Sequence, residues 1–178
     1  MQIAAFDTDD LADGSGKAHI SWIGRELLKT SHRMNPVIVT NEDGTYKEGT
    51  GSIGGWERCE MRSYLKETIL PLIPGNIRSQ IKETIKEQRA IDASGSGFKQ
   101  ITHDDLWIPE SSELRKYDIF TVRSSYIKLK VDNNKAYSWW TRGSDSASVN
   151  FFTLVHNDGN SGAYGAQSSE GVCLCFCT

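Results

Sequence analysis

Four cysteines and four histidines are the residues of this chain best suited to metal or redox chemistry. Cys173, Cys175 and Cys177 form a C-x-C-x-C run, and Cys59 stands alone. On a strand, residues two apart share a face, so the three thiols would offer a sulfur-rich row to a metal. They would equally well line a core, because free cysteine is among the most buried residue types. Same-strand neighbours are poorly placed to bridge each other, and no C-x-x-C or His-rich partner accompanies them. The core reading is therefore preferred, and neither metal nor cofactor is expected. His19, His32, His103 and His156 are dispersed. His103-Asp104-Asp105 offers cation ligands but reads better as a polar turn before a strand. Asn157, Asp158 and Asn160 offer oxygen ligands, yet the segment lacks the carboxylate density of a calcium loop and reads better as a hairpin tip. Glu57 and Glu60 pair on a solvated helix face. None of the glycine-rich phosphate loops, nucleophile elbows or H-E-x-x-H zinc patterns occurs.

Trp139 and Trp140 suggest sugar stacking. On a strand they face opposite ways, so one is expected buried and the other half-covered. Arg142 would share a face with Trp140, and a structural ion pair or a bond to the backbone suits it better than catalysis.

The elements around these residues have a mixed order. Residues 1–19 read as a flexible lead-in ending in the turn-prone DGSGK. A short amphipathic segment, GRELLK, follows Ile20, Trp22 and Ile23. Val37-Ile38-Val39 has strand character, and Asp43-Gly44 marks a turn. Helical spacing of Met61, Leu65, Thr68, Ile69 and Leu72 predicts a helix from about Trp56 to Leu70, ended by Pro71 and Pro74. A second helix is expected over Asn76–Lys82, capped by Asn76. Strands are expected at 83–91, Phe98–Ile101, Asp104–Pro109, Tyr126–Val131, Trp139-Trp140, Phe151–Val155 and Val172–Phe176, with a turn at 132–134. A short helix carrying Leu114 should be capped by Ser111. Helices early, strands late and no βαβ alternation predict an α+β fold in one domain, residues 20–178.

Composition narrows the function. The chain has 178 residues, 38% hydrophobic and 24% charged, with net charge −3, as in ordinary soluble proteins. No apolar run approaches a membrane span. The acidic start, MQIAAFDTDDLADG, does not resemble a signal peptide. No Lys or Arg follows Arg142, and only Asp145, Asp158 and Glu170 are charged beyond it. Such a stretch will not neutralise phosphates, so nucleic acid is an unlikely partner. Between SWWTRG and GVCLCFCT lie about thirty residues of Ser, Gly, Asn, Asp, Ala, Tyr, Phe and His. Two β-prone anchors thus bracket an adaptable middle, a composition that suits a binding surface.

HRMNP at 32–36, GSIGGWERCEMRSYL at 51–65, ILPLIP at 69–74, LWIPESSEL at 106–114, SWWTRG at 138–143 and GVCLCFCT at 171–178 carry a resemblance. Together they resemble a bacterial and prophage domain family of uncharacterised function. Its C-terminus reads W-W-L-R-S, a changeable stretch, then G-V-x-x-x-F-C. Several members are similar to the variable proteins of diversity-generating retroelements, which have a C-type-lectin-like fold related to the formylglycine-generating enzyme. The chain departs from the pattern at Thr141 and Gly143 and at Cys173 and Cys175.

The resemblance implies a C-type-lectin-like fold with small mixed or antiparallel sheets and two helices. It implies that region 138–178 displays a surface rewritten by an error-prone reverse transcriptase at adenines. The expected variable positions are Ser144, Asp145, Ser148, Asn150, Phe152, Leu154, His156, Asn157, Asp158, Asn160, Tyr164, Gln167 and Ser168. Phe151, Val155, Gly159 and Ala166 would be framework. The expected ligand is a protein or glycan, for instance on a host cell, and the expected setting is a virion or cell surface. Two rivals follow. One is a metal-dependent enzyme related to formylglycine-generating proteins, with Cys173, Cys175 and Cys177 as its only thiol candidates. The other is a purely structural virion domain.

Overall fold

The computed structural model describes residues 1–117, 130–132 and 135–178. Within them the fold is α+β, with small antiparallel sheets and short helices. Strand β1 (Gln2–Phe6) pairs with β2 (Ile20–Ile23), and β2 pairs on its other side with β10 (Cys175–Cys177). The expected lead-in is therefore corrected. Its apolar Ala4, Ala5 and Ala18 are buried, and Asp9 is 7% exposed. The pattern was hidden because this strand buries only alanines.

Helical structure runs from Trp56 to Leu72 in four pieces. A 3-10 turn (Trp56–Arg58) leads into α1 (Glu60–Tyr64), a π-helical turn (Leu65–Ile69) and a second 3-10 turn (Leu70–Leu72). Met61 and Leu65 are fully buried, whereas Thr68 is exposed and Leu72 is 74% exposed. The π turn advances fewer degrees per residue, so the 3.6-residue stripe drifts off the core. The next helix, α2 (Gly75–Arg78), is shorter than expected, and Pro74 occupies the cap position assigned to Asn76. GRELLK is not helical, and Val37-Ile38-Val39 forms no strand; Val37 and Val39 are both exposed.

Strands β3 (Thr84–Ile91) and β4 (Gly97–Asp104) make an unbroken hairpin. Leu106, Trp107 and Ile108 are buried, and Trp107 bridges Cys175. Helix α3 (Glu113–Lys116) follows, with Ser112 rather than Ser111 at its N-cap and no side-chain cap bond. Instead Glu110 accepts from the Ser112 amide, and Glu113 Oε2 accepts from the Glu110 amide at 3.1 Å. Of the expected Tyr126–Val131 strand, only its end falls within the described residues, in β5 (Lys130–Asp132), which pairs with β6 (Lys135–Tyr137). The rest of that strand, and Asn133-Asn134 of the turn, lie outside them. The last sheet is β7 (Trp139–Ser144), β8 (Phe151–Val155) and β9 (Ser161–Gly165), in that order.

The sequence blocks that carry the resemblance turn out to hold one another. Asn35 Nδ2 donates to the Gly51 carbonyl, and Asn35 Oδ1 accepts from the Glu60 amide. Arg33 pairs with Glu60, and the His32 ring stacks on Tyr64 at 4.0 Å. Gly55 has φ 57°, and a Cβ there would collide with Ala90. Only glycine fits such a backbone at so close an approach. Trp56 Nε1 and Arg62 Nε both donate to Asp104, at 3.2 and 2.6 Å.

Candidate ligand surface and its buried support

The sheet β7-β8-β9 begins with a strand that has no exposed face. All of Trp139–Ser144 is buried. Trp139 and Trp140 are each 0% exposed, which corrects the expectation that one would be half-covered. Trp140 Nε1 donates to the His32 carbonyl at 2.9 Å, and its amide donates to Gly171. Neither ring is available to a sugar.

Arg142 enters an ion pair, as its position suggested, and the pair lies deep. Its Nη1 and Nη2 donate to Glu113 Oε2 and Oε1 at 2.5 and 2.6 Å, Nε donates to Gln88 Oε1 at 2.9 Å, and the Ile108 and Glu87 carbonyls accept as well. Lys86 Nζ, also 0% exposed, lies 2.6 Å from Asp9 and 3.6 Å from Glu113. It also sits 3.6 Å above the Trp107 ring. Ser21 donates to Asp9. Burial would raise the Glu113 pKa, but Arg142 and then Lys86 hold it down at about 2. Burial and the nearby Glu113 and Asp9 charges push Tyr117 well above its usual value. Two cations and two carboxylates thus neutralise each other inside the fold, as buried charges must.

The thiols belong to this interior. Cys59, Cys173, Cys175 and Cys177 are all buried. Burial raises Cys59 to about 12, and burial followed by the Asp9 charge raises Cys177 to about 12. A thiol so shifted is neutral and a poor nucleophile near neutrality.

The expected variable positions divide into two groups. Ser144, Phe152 and Leu154 are 2%, 0% and 1% exposed. They are core, which corrects their assignment to a binding surface. Trp140 opposes Leu154 and Ser144 opposes Phe152 across β7 and β8, so all four share the covered face. Phe151, read as framework, is instead 37% exposed. The parity of β8 could have been found from the sequence only by knowing its partner. Val155 and Ala166 are buried, like a frame.

The remaining positions are exposed or half-buried: Asp145, Ser148, Asn150, His156, Asn157, Asp158, Asn160, Tyr164, Gln167 and Ser168. They lie on the loop joining β7 to β8, the β8–β9 hairpin tip, β9 itself and the turn after it. The tip is built locally. Gly159 takes φ 84°, its amide donates to the His156 carbonyl, and Asp158 accepts from the Asn160 amide at 2.9 Å. That last bond, followed by the Asn160 side chain, lowers the Asp158 pKa. Asp145 similarly accepts from the Ala147 amide at 2.8 Å. These carboxylates hold their own turns, and among the described residues no group of three His, Cys, Asp or Glu side chains is arranged to hold a metal. A separate pocket of about 460 Å³ lies between Glu26–Ser31, Tyr137-Ser138 and Ser169–Gly171.

A family model described as a domain of unknown function, DUF6273, matches residues 27–177. The chain belongs to this family. The DUF6273 match takes in Lys86, Glu113 and Arg142 and leaves out β1, β2 and Asp9. No curated protein and no solved structure matches the chain. Among the described residues, no helix is long and apolar enough to cross a membrane.

Proposed function

We propose that this DUF6273 chain is a ligand-binding module of the receptor or adhesin kind. In this reading it is a variable protein of a diversity-generating retroelement, carried by a prophage, with a C-type-lectin-like frame. The observation that supports this reading is the division within region 138–178. Anchors at Trp139–Ser144 and Val172–Cys177 are buried, while ten of the adaptable positions between them reach the surface. Tyr164 is 49% exposed and Phe151 37%. Aromatic rings supply contact area at small entropy cost, and Asn, Ser and Gln supply adaptable hydrogen bonds. The ligand is a protein or glycan without strong negative charge, because residues 143–178 contain no Lys or Arg to meet it.

The test is an array of glycans and proteins probed with the purified chain and with the triple variant Asn157→Ala, Tyr164→Ala, Gln167→Ala. Specific binding that the variant loses, at unchanged melting temperature, is expected. An empty array, or binding indifferent to the three changes, would sink the proposal. The retroelement part is read separately from neighbouring DNA. It requires a reverse-transcriptase gene and a near-copy of the 138–178 coding region differing at adenines.

A further inference from the structure

Lys86 and Asp9 are placed as reactants as well as partners. Lys86 lies in β3 and Asp9 just after β1, 77 residues apart in the chain. Lys86 Nζ reaches Asp9 Oδ1 at 2.6 Å, and the Trp107 ring covers the same nitrogen. A buried ion pair is seldom better for stability than apolar residues of similar size. Arg142 already balances Glu113 here, so a second enclosed cation asks for another explanation. Lysine differs from arginine in that it can lose a proton and act as a nucleophile.

The other groups of the cluster are arranged for that chemistry. Asp9 Oδ2 accepts from the Ser21 hydroxyl and from the Tyr117 hydroxyl at 3.5 Å. Two donors on one oxygen draw electrons from the carboxyl carbon and suit a negative charge developing there. Glu113 Oε1 lies 3.6 Å from Lys86 Nζ. Arg142 keeps this carboxylate ionised, so it can accept a proton and pass it on.

We propose that Lys86 and Asp9 condense to an isopeptide bond between Nζ and the Asp9 carboxyl carbon. The ammonium first hands one proton directly to Oδ1, leaving an amine beside a carboxylic acid. Enclosure favours this neutral form, because buried charges lose their hydration. The amine attacks the carboxyl carbon, and Oδ2 takes up the charge between Ser21 and Tyr117. Glu113 carries the second proton from Nζ to Oδ1. The C–Oδ1 bond breaks, one water leaves past the Asp9 side chain, and nothing is oxidised or reduced. Fixed proximity replaces an encounter in solution. The product has lost one cation and one carboxylate, so Arg142 and Glu113 remain as a balanced pair. The bond closes a ring through residues 9–86 and restricts the unfolded chain as a long-range disulfide does. The inference rests on the interior and stands whether or not region 138–178 binds a ligand.

The intact mass of the purified full chain, measured in denaturant, tests it. The mass should fall below that of the 19.9 kDa sequence by one water. Trypsin should release residues 1–17 joined to residues 83–89, uncut at Lys86. Lys86→Arg keeps the cation and should restore the full mass. Glu113→Gln, followed from cell-free synthesis, should couple at least about tenfold more slowly. A wild-type chain of full sequence mass overturns the proposal. So does a water loss that persists in Lys86→Arg, or one that maps to a cyclic imide at Asp13-Gly14 or Asp43-Gly44. A folded Glu113→Gln that couples at the wild-type rate overturns the role given to Glu113.

Discussion

The buried charges around Arg142 and the nearly uncharged surface that follows it put polar residues to opposite uses. Lys86 and Arg142 are wholly enclosed, with Asp9 and Glu113 beside them. Beyond Arg142 no Lys or Arg occurs, and the polar residues of the loops are mostly exposed or half-buried. In the interior every charge has a fixed partner, so a substitution leaves an opposite charge stranded. At the surface each polar side chain serves its own turn or none. The first arrangement makes the fold specific, and the second leaves residues free to change.

Removing a cation from the interior should show the largest effect. Arg142→Met strands Glu113 and should cost about 3–5 kcal/mol, read by denaturant unfolding. Adding Glu113→Leu should recover part of that loss, since an apolar replacement of both partners is far better tolerated than loss of one. A single Arg142 variant of wild-type stability would mean that the pair contributes nothing.

Phe152→Ala tests where the boundary between the two regions runs. Deleting a fully buried ring should cost about 3–5 kcal/mol, whereas Tyr164→Ala on the facing strand should change stability by less than ~0.5 kcal/mol. Comparable losses at both positions would erase the division between frame and surface.

Acid should act on the interior first. The Glu113 pKa in the fold, about 2, lies below its ordinary 4.5. Its ionised form therefore adds stability that is complete above pH 4.5 and fades as pH falls toward 2. Wild-type stability should decline across that window, and Glu113→Gln, less stable at pH 7, should decline less. The smallest effect belongs to the hairpin tip. Asn157→Ala should leave the melting temperature unchanged in a thermal scan, because the residue is exposed and its turn is held by Asp158 and Gly159.

Local pattern made part of this legible. The β3–β4 hairpin, the helical run after Trp56, the α+β class and the structural role of Arg142 all follow from periodicity and turn residues. What escaped depends on pairing over long separations. Lys86 points inward on β3 because Asp9 and Glu113 await it there, and no local rule turns a lysine into core. Phe152 and Leu154 point inward because Ser144 and Trp140 oppose them. Strand β1 has no apolar signature because it buries small Ala4 and Ala5 rather than large aliphatics.

The seat of β2 between β1 and β10 has a consequence for how the chain acquires its shape. One neighbour of Ile20–Ile23 is made just before it, and the other, Cys175–Cys177, near the far end of the sequence. Two reciprocal bonds between Ile20 and Thr178 close that seam. Loop-closure entropy for so distant a contact must be met before it yields any stabilisation. During synthesis, β2 therefore waits half-paired while nearly all of the domain emerges, and the first sheet to begin is among the last to be completed.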